Sequence, residues 1–437
     1  MFNLTSQKTT QGKQGVCGAE KQSLRFPVGF AGCVDKNKNL LYSESLKWEG
    51  GLEMFRWGQE EAQAASRVIL SGSLFRINSK YNEVANFENE LKAKMGAAHC
   101  VCMNSGTAAL TAGLAAIGVG PGDEVIIPAY TFIATAGAVL SVGAIPVICE
   151  VDATLTMDPD DVEKKISKYT KAIIPVNIMG FPCEMDRLAA LSKKHNFAIV
   201  EDACQADGGS YKGRRLGSIG EIGAYSFNWF KIISAGEGGA LVTSDLKLYE
   251  RAIIFHDIGS NFWPYQQPIT SPSFNGRNYR VSEVTGAILR EQLKRLDGIL
   301  TDLRRVKKTI MDSVGDVTGF APSNDIEGDC GTCLPFQFPS IEEAISFEKK
   351  IGGHRPVNTE KHVFNFWPNV MEKRGGHSDA ANPYLNPLNK DLNMDFTPAS
   401  CKQSKDFLSR TVYMEMNPDW NEADIAQKIE LVRNAFR

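Results

Sequence analysis

Residues 197–245 read FAIVEDACQADGGSYKGRRLGSIGEIGAYSFNWFKIISAGEGGALVTSD, and the order of their parts decides the fold. An apolar run closes on two carboxylates, Glu201 and Asp202. A second run, GAYSFN, passes through a glycine-containing return into a third, GALVTS. Short apolar runs bounded by polar and glycine residues mark buried strands, and ligands of a parallel sheet bind just beyond the carboxyl ends of its strands. The polar residues that follow each run are therefore the first candidates for function.

Upstream, HCVCM, EVIIP, IPVICEV and KAIIPVN have the same character and alternate with helical patterns from about residue 98. Seven strands with helices between them predict an α/β fold on one large, mostly parallel sheet. Before the sheet, EEAQAASRVILSG and NEVANFENELKAKMG read as amphipathic helices, the second with Val84, Phe87, Leu91 and Met95 at helical spacing. After it, a polar stretch over 256–280 precedes a long helix, SEVTGAILREQLKRLDGILTDLRRVKK. The basic end of that helix, Arg304, Arg305, Lys307 and Lys308, reads as a solvated face. The pattern predicts an extension over 1–45, partly mobile, a large domain over 46–295, and a smaller α+β domain over 296–437 that closes with EADIAQKIELVRNAF.

Composition narrows the function classes. With 437 residues, 43% hydrophobic and 23% charged residues and a net charge of -3, the chain has the make-up of a globular enzyme. It lacks the basic excess that binding a nucleic acid demands. No apolar run approaches bilayer length and the first residues lack the apolar core of a secretion signal, so a cytoplasmic protein without membrane contact is expected. Ten irregularly spaced cysteines suit a reducing compartment. Cys330 and Cys333 form a CxxC with no partner pair at zinc spacing, Cys100 and Cys102 read as packing residues, and the six histidines show no metal motif, so no metal site is expected.

Four places carry candidate chemistry. In MNSGTAALTAGLAAIG a strand runs through Ser105, Gly106 and Thr107 into a helix, whose free N–H groups and flanking hydroxyls make a phosphate cup or, more plainly, a helix cap. Asp202 ends a strand, where a carboxylate can hold the proton of a pyridine nitrogen or simply cap the next turn, and Gln205 can donate to a phenolic oxygen beside it. Lys231 follows GAYSFNWF, where a lysine snorkels to the surface or serves as a nucleophile; desolvation favours the neutral amine that Schiff-base formation needs. Ser226, five residues earlier, is a phosphate donor. Tyr130 and Phe132 follow EVIIP, and Phe132 is the candidate to stack on a flat ring, with an ordinary core role as the alternative.

Together SGTAAL, GVGPGDEVIIPAYTFIATAGAVLSVGAIPV, EDACQADGGSYKGRRLGSIGEIGAYSF, FKIISAGEGGALVTSD and GRNYRVSE resemble the DegT/DnrJ/EryC1/StrS, or sugar aminotransferase, family of fold-type I pyridoxal-phosphate (PLP) enzymes. The likeness is strong from about residue 60 to 300 and looser beyond. It implies that 46–295 binds PLP, with Lys231 as the Schiff-base lysine and proton carrier and Asp202 at the pyridine nitrogen. It further implies Gln205 near the ring's phenolic oxygen, Phe132 as the stacking ring, and Ser105, Gly106, Thr107 and Ser226 around the phosphate. Asn278, in GRNYR, is implied to reach the phosphate of a neighbouring subunit, and with it a homodimer with shared active sites. Two departures stand out: PVNIMG places Asn177 where many relatives have histidine, and Cys204 stands where alanine is common.

The implied reaction moves an amino group from L-glutamate or L-glutamine to a keto-sugar, commonly nucleotide-linked, or to a keto-cyclitol. C-terminal loops, including HVFNFWPN, are implied to face the acceptor. A sugar dehydratase on the same fold is the nearest alternative, but such relatives carry histidine where this chain has Lys231. A regulator that senses PLP or sugar without turnover is the other. It would add a DNA-binding module, for which the N-terminal extension is too short and too rich in glycine and glutamine.

Overall fold

The computed structural model describes residues 56–259, 268–397 and 400–436; the expected extension over 1–45 lies outside them. In chain order the elements begin α1 (Gln59–Ser71), α2 (Glu83–Met95), β1 (His99–Met103), α3 (Gly106–Ile117), β2 (Glu124–Pro128), α4 (Ala134–Ser141), β3 (Ile145–Cys149), α5 (Pro159–Lys165), β4 (Thr170–Ile173), α6 (Met185–His195) and β5 (Ala198–Asp202). They continue β6 (Ser210–Tyr211), β7 (Arg214–Arg215), β8 (Ile222–Ser226), β9 (Gly239–Thr243), α7 (Leu246–His256), α8 (Glu283–Val314), β10 (Cys333–Gln337), α9 (Ile341–Ile351), α10 (Pro368–Met371), α11 (Lys402–Arg410), β11 (Thr411–Glu415) and α12 (Glu422–Ala435).

The seven runs read as strands form one sheet in the order β1-β9-β8-β5-β4-β2-β3. The pairs β5·β8, β4·β5, β2·β4 and β2·β3 are parallel, while β9 runs antiparallel to both β1 and β8. Every residue of β2, β3, β8 and β9 is buried, which is why these strands are continuously apolar instead of alternating. Helices cover both faces. One core layer joins Ala108 of α3, Val139 of α4 and Ile253 of α7; the other joins Phe87 of α2, Leu188 of α6 and Leu296 of α8.

The helical spacing in α2 buries what it predicts, with Val84, Phe87 and Leu91 at 0% exposure and Met95 at 1%. Truncating one such side chain to alanine costs about 2–5 kcal/mol. The long helix is present as α8, started by Ser282, whose hydroxyl accepts from the Thr285 N–H. Its basic end is not one solvated face. Arg305 and Lys308 are exposed, but Lys307 turns inward, pairs with buried Asp329 at 2.7 Å and lies over the Phe181 ring. Position 307 falls among the buried positions Leu303, Val306 and Ile310, and an acid brought from another segment meets it there.

Beyond α8, β10 and β11 pair antiparallel beside α9, α11 and α12. Between them, residues 356–389 form short 3-10 turns and the four-residue α10. Every cysteine among the described residues is a free thiol. Among the described residues no helix is long and apolar enough to cross a membrane.

Candidate active site

The site collects where β1, β2, β5 and β8 end. Successive side chains of a strand face opposite ways, so the two carboxylates that close β5 part company. Glu201 points into the fold and accepts from the N–H groups of Gly217, Ile219 and Gly220, pinning the turn after β7. Burial pushes its carboxyl up, and those three donors pull it back. Asp202, 5% exposed, faces the other way.

Asp202 is held by its own chain of donors. Thr135 Oγ1 donates to Asp202 Oδ2 at 2.8 Å and in turn contacts Thr131 Oγ1 at 2.7 Å, while the Cys204 N–H reaches Oδ1 at 3.2 Å. Both threonines are fully buried. They orient the carboxylate, and sequence reasoning passed over them; the signal available was two threonines four apart where a strand end turns into α4.

The segment read as a phosphate cup or a helix cap opens α3. Ser105 caps the helix, its Oγ accepting from the Ala108 N–H at 3.1 Å, as the plainer reading expects. Gly106 is pressed against the neighbouring strand ends: a Cβ there would lie 2.7 Å from Cys204 Sγ and 2.8 Å from Ser226 Cβ. Only a residue without a side chain lets the helix start sit this low, and Ser226 at the end of β8 completes the floor. Thr107 is exposed on the rim.

Lys231 lies on the return between β8 and β9. The return is fastened by Phe227 N–H to Gly238 O, Trp229 N–H to Gly236 O, and buried Ile232 and Ile233. Gln292 of α8, fully buried, accepts from the Ser234 N–H at 3.3 Å and donates to Glu61 of α1 at 2.9 Å. The Lys231 charge holds down the Cys204 thiol and the Asp207 carboxyl, both pushed up by burial, and lowers the His362 imidazole further. Desolvation pushes the Cys204 thiol well up; Asp202 adds to the shift and Lys231 opposes it.

Gln205 accepts from the Met179 N–H at 3.0 Å through Oε1, which leaves its Nε2 to donate. Phe132 keeps 39% exposure and so offers a face. Its ring lies 5.5 Å from that of His362. The segment carrying His362 is zipped to the loop after β2 by Thr131 N–H to His362 O, Ile133 N–H to Lys361 O and Phe364 N–H to Ala129 O. Burial, then the charges of Lys231, Lys361 and His354, pushes this imidazole down to about 4, so it is neutral near pH 7. His362 is the third residue that sequence reasoning did not single out, although it lies in the HVFNFWPN segment expected to face the acceptor.

Asn278 is exposed and its Oδ1 accepts from the Arg280 N–H at 3.3 Å. The adjacent Tyr279 carbonyl accepts from the Asn104 N–H at 2.9 Å, so GRNYR runs along the edge of the cup in its own chain. The Asn177 N–H donates to the Asp202 carbonyl, its Oδ1 accepts from the Cys183 N–H, and its buried Nδ2 has no hydrogen-bond partner among the described residues.

The arrangement fits a phosphorylated pyridine. A carboxylate, a primary amine, an exposed aromatic face and a glycine-floored helix start all lie on segments that follow strand ends of one sheet. Comparison with known proteins gives the family. The model of the DegT/DnrJ/EryC1/StrS aminotransferase family matches residues 56–341. The L-glutamine:2-deoxy-scyllo-inosose aminotransferase of Streptomyces lividus is 35% identical over 62% of this chain and 67% of its own length. The GDP-perosamine synthase of Escherichia coli O157:H7 is 35% identical over 53% of this chain and 62% of its own, so the match spans just under two thirds of that relative. Among solved structures, S. venezuelae DesV, determined in complex with a ketimine intermediate, is 29% identical with a TM-score of 0.67, covering 86% of this chain and 94% of that one.

Proposed function

The chain belongs to the DegT/DnrJ/EryC1/StrS aminotransferase family, and on that premise we propose that it is a PLP-dependent transaminase acting on a keto-sugar or keto-cyclitol. The observation that carries the reading is that Asp202 closes β5 and Lys231 lies on the return after β8, the strand paired with β5. The amine sits on a fastened return and the carboxylate is already oriented by Thr135 and Cys204, with the Gly106 cup between the same strand ends. Bound there, PLP would supply an aldehyde carbon for the amine and an electron-withdrawing ring.

The chain's own groups divide the remaining work. Lys231 Nζ would hold the cofactor's aldehyde carbon and serve as the group that takes up and returns a proton. Asp202 would hold a proton on the ring nitrogen. Gln205 Nε2 would donate at the ring edge and Phe132 would cover one face. Ser105, Gly106, Thr107 and Ser226 would hold the phosphate. His362, neutral beside Phe132, offers a hydrogen-bonding group on the side where the acceptor enters.

L-Glutamate or L-glutamine is the proposed donor, in line with the glutamine-dependent relative. A nucleotide-linked sugar or a cyclitol is the proposed acceptor, and cytoplasm the proposed location. Asn278 is proposed to serve the cup of a second subunit, which makes the enzyme a homodimer. Its exposure, and the apolar surface at Leu70 and Phe230, at 84% and 64% exposure, suit a subunit contact. A division near residue 295 into a PLP-binding and a smaller domain is retained as a proposal, with α8 shared by both.

The test is direct. Borohydride treatment of the PLP-loaded protein should fix the cofactor on the peptide containing Lys231, and Lys231→Ala should lose both the adduct and transamination. A variant that still transaminates at the wild-type rate ends the proposal. A panel of keto-sugars and keto-cyclitols offered to the amino form, followed by the cofactor's visible absorbance, then names the acceptor.

A further inference from the structure

Met179 holds a backbone conformation that its residue type does not favour. It lies in the turn after β4 with φ +51° and ψ 22°, the left-handed region that a residue with a Cβ enters only when its surroundings require it. Two hydrogen bonds, one on each side, hold it there. Its N–H donates to Gln205 Oε1 at 3.0 Å, and its carbonyl accepts from Thr332 Oγ1 at 2.5 Å. The first ties Met179 to the segment after β5 and the second to the residue before β10.

Thr332 is itself fixed. It is 3% exposed, and its carbonyl accepts from the Met416 N–H at 2.9 Å, just beyond β11. The chain before it is anchored to α8, since Asp329 pairs with Lys307 at 2.7 Å and accepts from the Gly331 N–H at 2.6 Å. Next to Met179, Gly180 has φ +79° and lies so close to Cys330 that a Cβ would come within 2.5 Å of the Cys330 Cβ, while the Cys330 N–H donates to the Gly180 carbonyl at 3.2 Å. The turn after β4 is therefore clamped between a strap from the C-terminal half and the end of β5, where the Asn177 N–H meets the Asp202 carbonyl at 3.0 Å.

The consequence falls on Gln205. A carboxamide has an accepting end and a donating end, and half a turn exchanges them. The Met179 N–H can meet only the oxygen, so while it stays in place Nε2 is the end left to donate. The φ and ψ of Met179 relate the peptide that carries this N–H to the peptide that Thr332 holds, so releasing one frees the other.

We propose that Thr332 is a positioning residue for the cofactor contact: its hydroxyl pins the left-handed Met179, whose N–H selects which end of the Gln205 amide faces the ring. The inference rests on the proposed placement of Gln205 beside the phenolic oxygen of PLP.

Two measurements test it, the first without cofactor. In the cofactor-free protein, hydrogen exchange read by mass spectrometry over residues 176–181 should show the Met179 amide exchanging about tenfold faster in Thr332→Val than in the wild type. Thr332→Ser, which keeps the hydroxyl, should stay near the wild-type rate. Equal exchange in Thr332→Val and the wild type overturns the clamp. In the PLP-loaded protein, a donor at the phenolic oxygen favours its ionised form, so losing that donor should raise the pH midpoint of the visible absorbance. The expected rise is about one unit in Gln205→Ala and about half a unit in Thr332→Val, with none in Thr332→Ser. Because the threonine acts through the glutamine, Thr332→Val added to Gln205→Ala should shift the midpoint no further. An unmoved midpoint in Gln205→Ala or Thr332→Val, or an added shift in the double variant, overturns the proposal. Should Thr332→Val fail to fold, Thr332→Ala takes its place with the same expected results. Absence of any borohydride-fixed adduct at Lys231 would sink the reading of the cofactor site; a normal adduct beside unchanged exchange and an unmoved midpoint sinks only the clamp.

Discussion

The two walls of the site are made differently. The wall proposed to face the cofactor rests on the ends of three strands of a single sheet, β5 and β8 side by side and β1 beyond β9, each carrying one short polar motif: Ser105 to Thr107 after β1, Asp202 to Gln205 at the end of β5, and Ser226 closing β8. The facing wall is a run of 3-10 turns whose His362 is tied to the loop after β2 by a few backbone hydrogen bonds. A sheet fixes a constellation because every strand end is held by its neighbours, whereas a zipped loop fixes one or two side chains and leaves the rest free to differ. On the proposed function, the chemistry falls to the first wall and the choice of acceptor to the second.

The sharpest way to break that division is to remove the charge of the strand wall. Asp202→Asn should keep the fold and lower both half-reactions by about 10²–10⁴-fold, measured by stopped-flow absorbance of each half. A loss confined to the acceptor half would contradict the division. Thr135→Val leaves the carboxylate but strips one donor from it; a hydrogen bond to a charged group contributes about 1.5–3 kcal/mol, so a drop of about 10–100-fold is expected in both halves.

A smaller effect is expected from filling the cup. Gly106→Ala puts a methyl group against Cys204 Sγ and Ser226 Cβ, and overpacking of this kind costs about 1–3 kcal/mol. Cofactor affinity, read by equilibrium dialysis, should fall by about 5–150-fold with little change in turnover at saturation. Cofactor affinity equal to the wild type would mean that the helix start does not carry the phosphate.

The loop wall is probed at His362. His362→Phe should raise the acceptor KM by about tenfold, the size of one lost hydrogen bond, while the donor half-reaction stays near the wild-type rate. Equal damage to both halves would erase the distinction between the walls.

The same histidine gives the smallest effect, an acid sensitivity. Its folded value of about 4 lies below the ordinary 6.5, so between those limits the unfolded chain binds the extra proton and stability falls as pH drops. Replacing His362 should remove roughly 2–3 kcal/mol of that acid-induced loss, visible as a flatter Tm profile below pH 6.5. A profile as steep as the wild type's would place the sensitivity elsewhere, with buried His256 the next group to examine.

Much of the strand wall was legible because its parts are local. Each of the seven strands is one apolar run, and each polar motif lies within a few residues of its strand end. Gly106 was legible as part of the turn from β1 into α3, while the neighbours that press on it, Cys204 and Ser226, were not. What escaped depends on distant partners. Thr135 matters only because α4 brings it over Asp202, and His362 because a backbone zipper carries it to Phe132. Lys307 looked solvated because its helix offered no acid, and Asp329 comes from another segment.

Gln292 gives the reactive return an unexpected dependency. One side-chain amide, shielded from solvent, grips the Lys231 return with its oxygen and the first helix with its nitrogen. Peeling α1 away would cut that tether and slacken the return while every group that meets substrate stayed in place. Damage at the front edge of the described chain would then register as a wandering amine, far along the sequence from the injury.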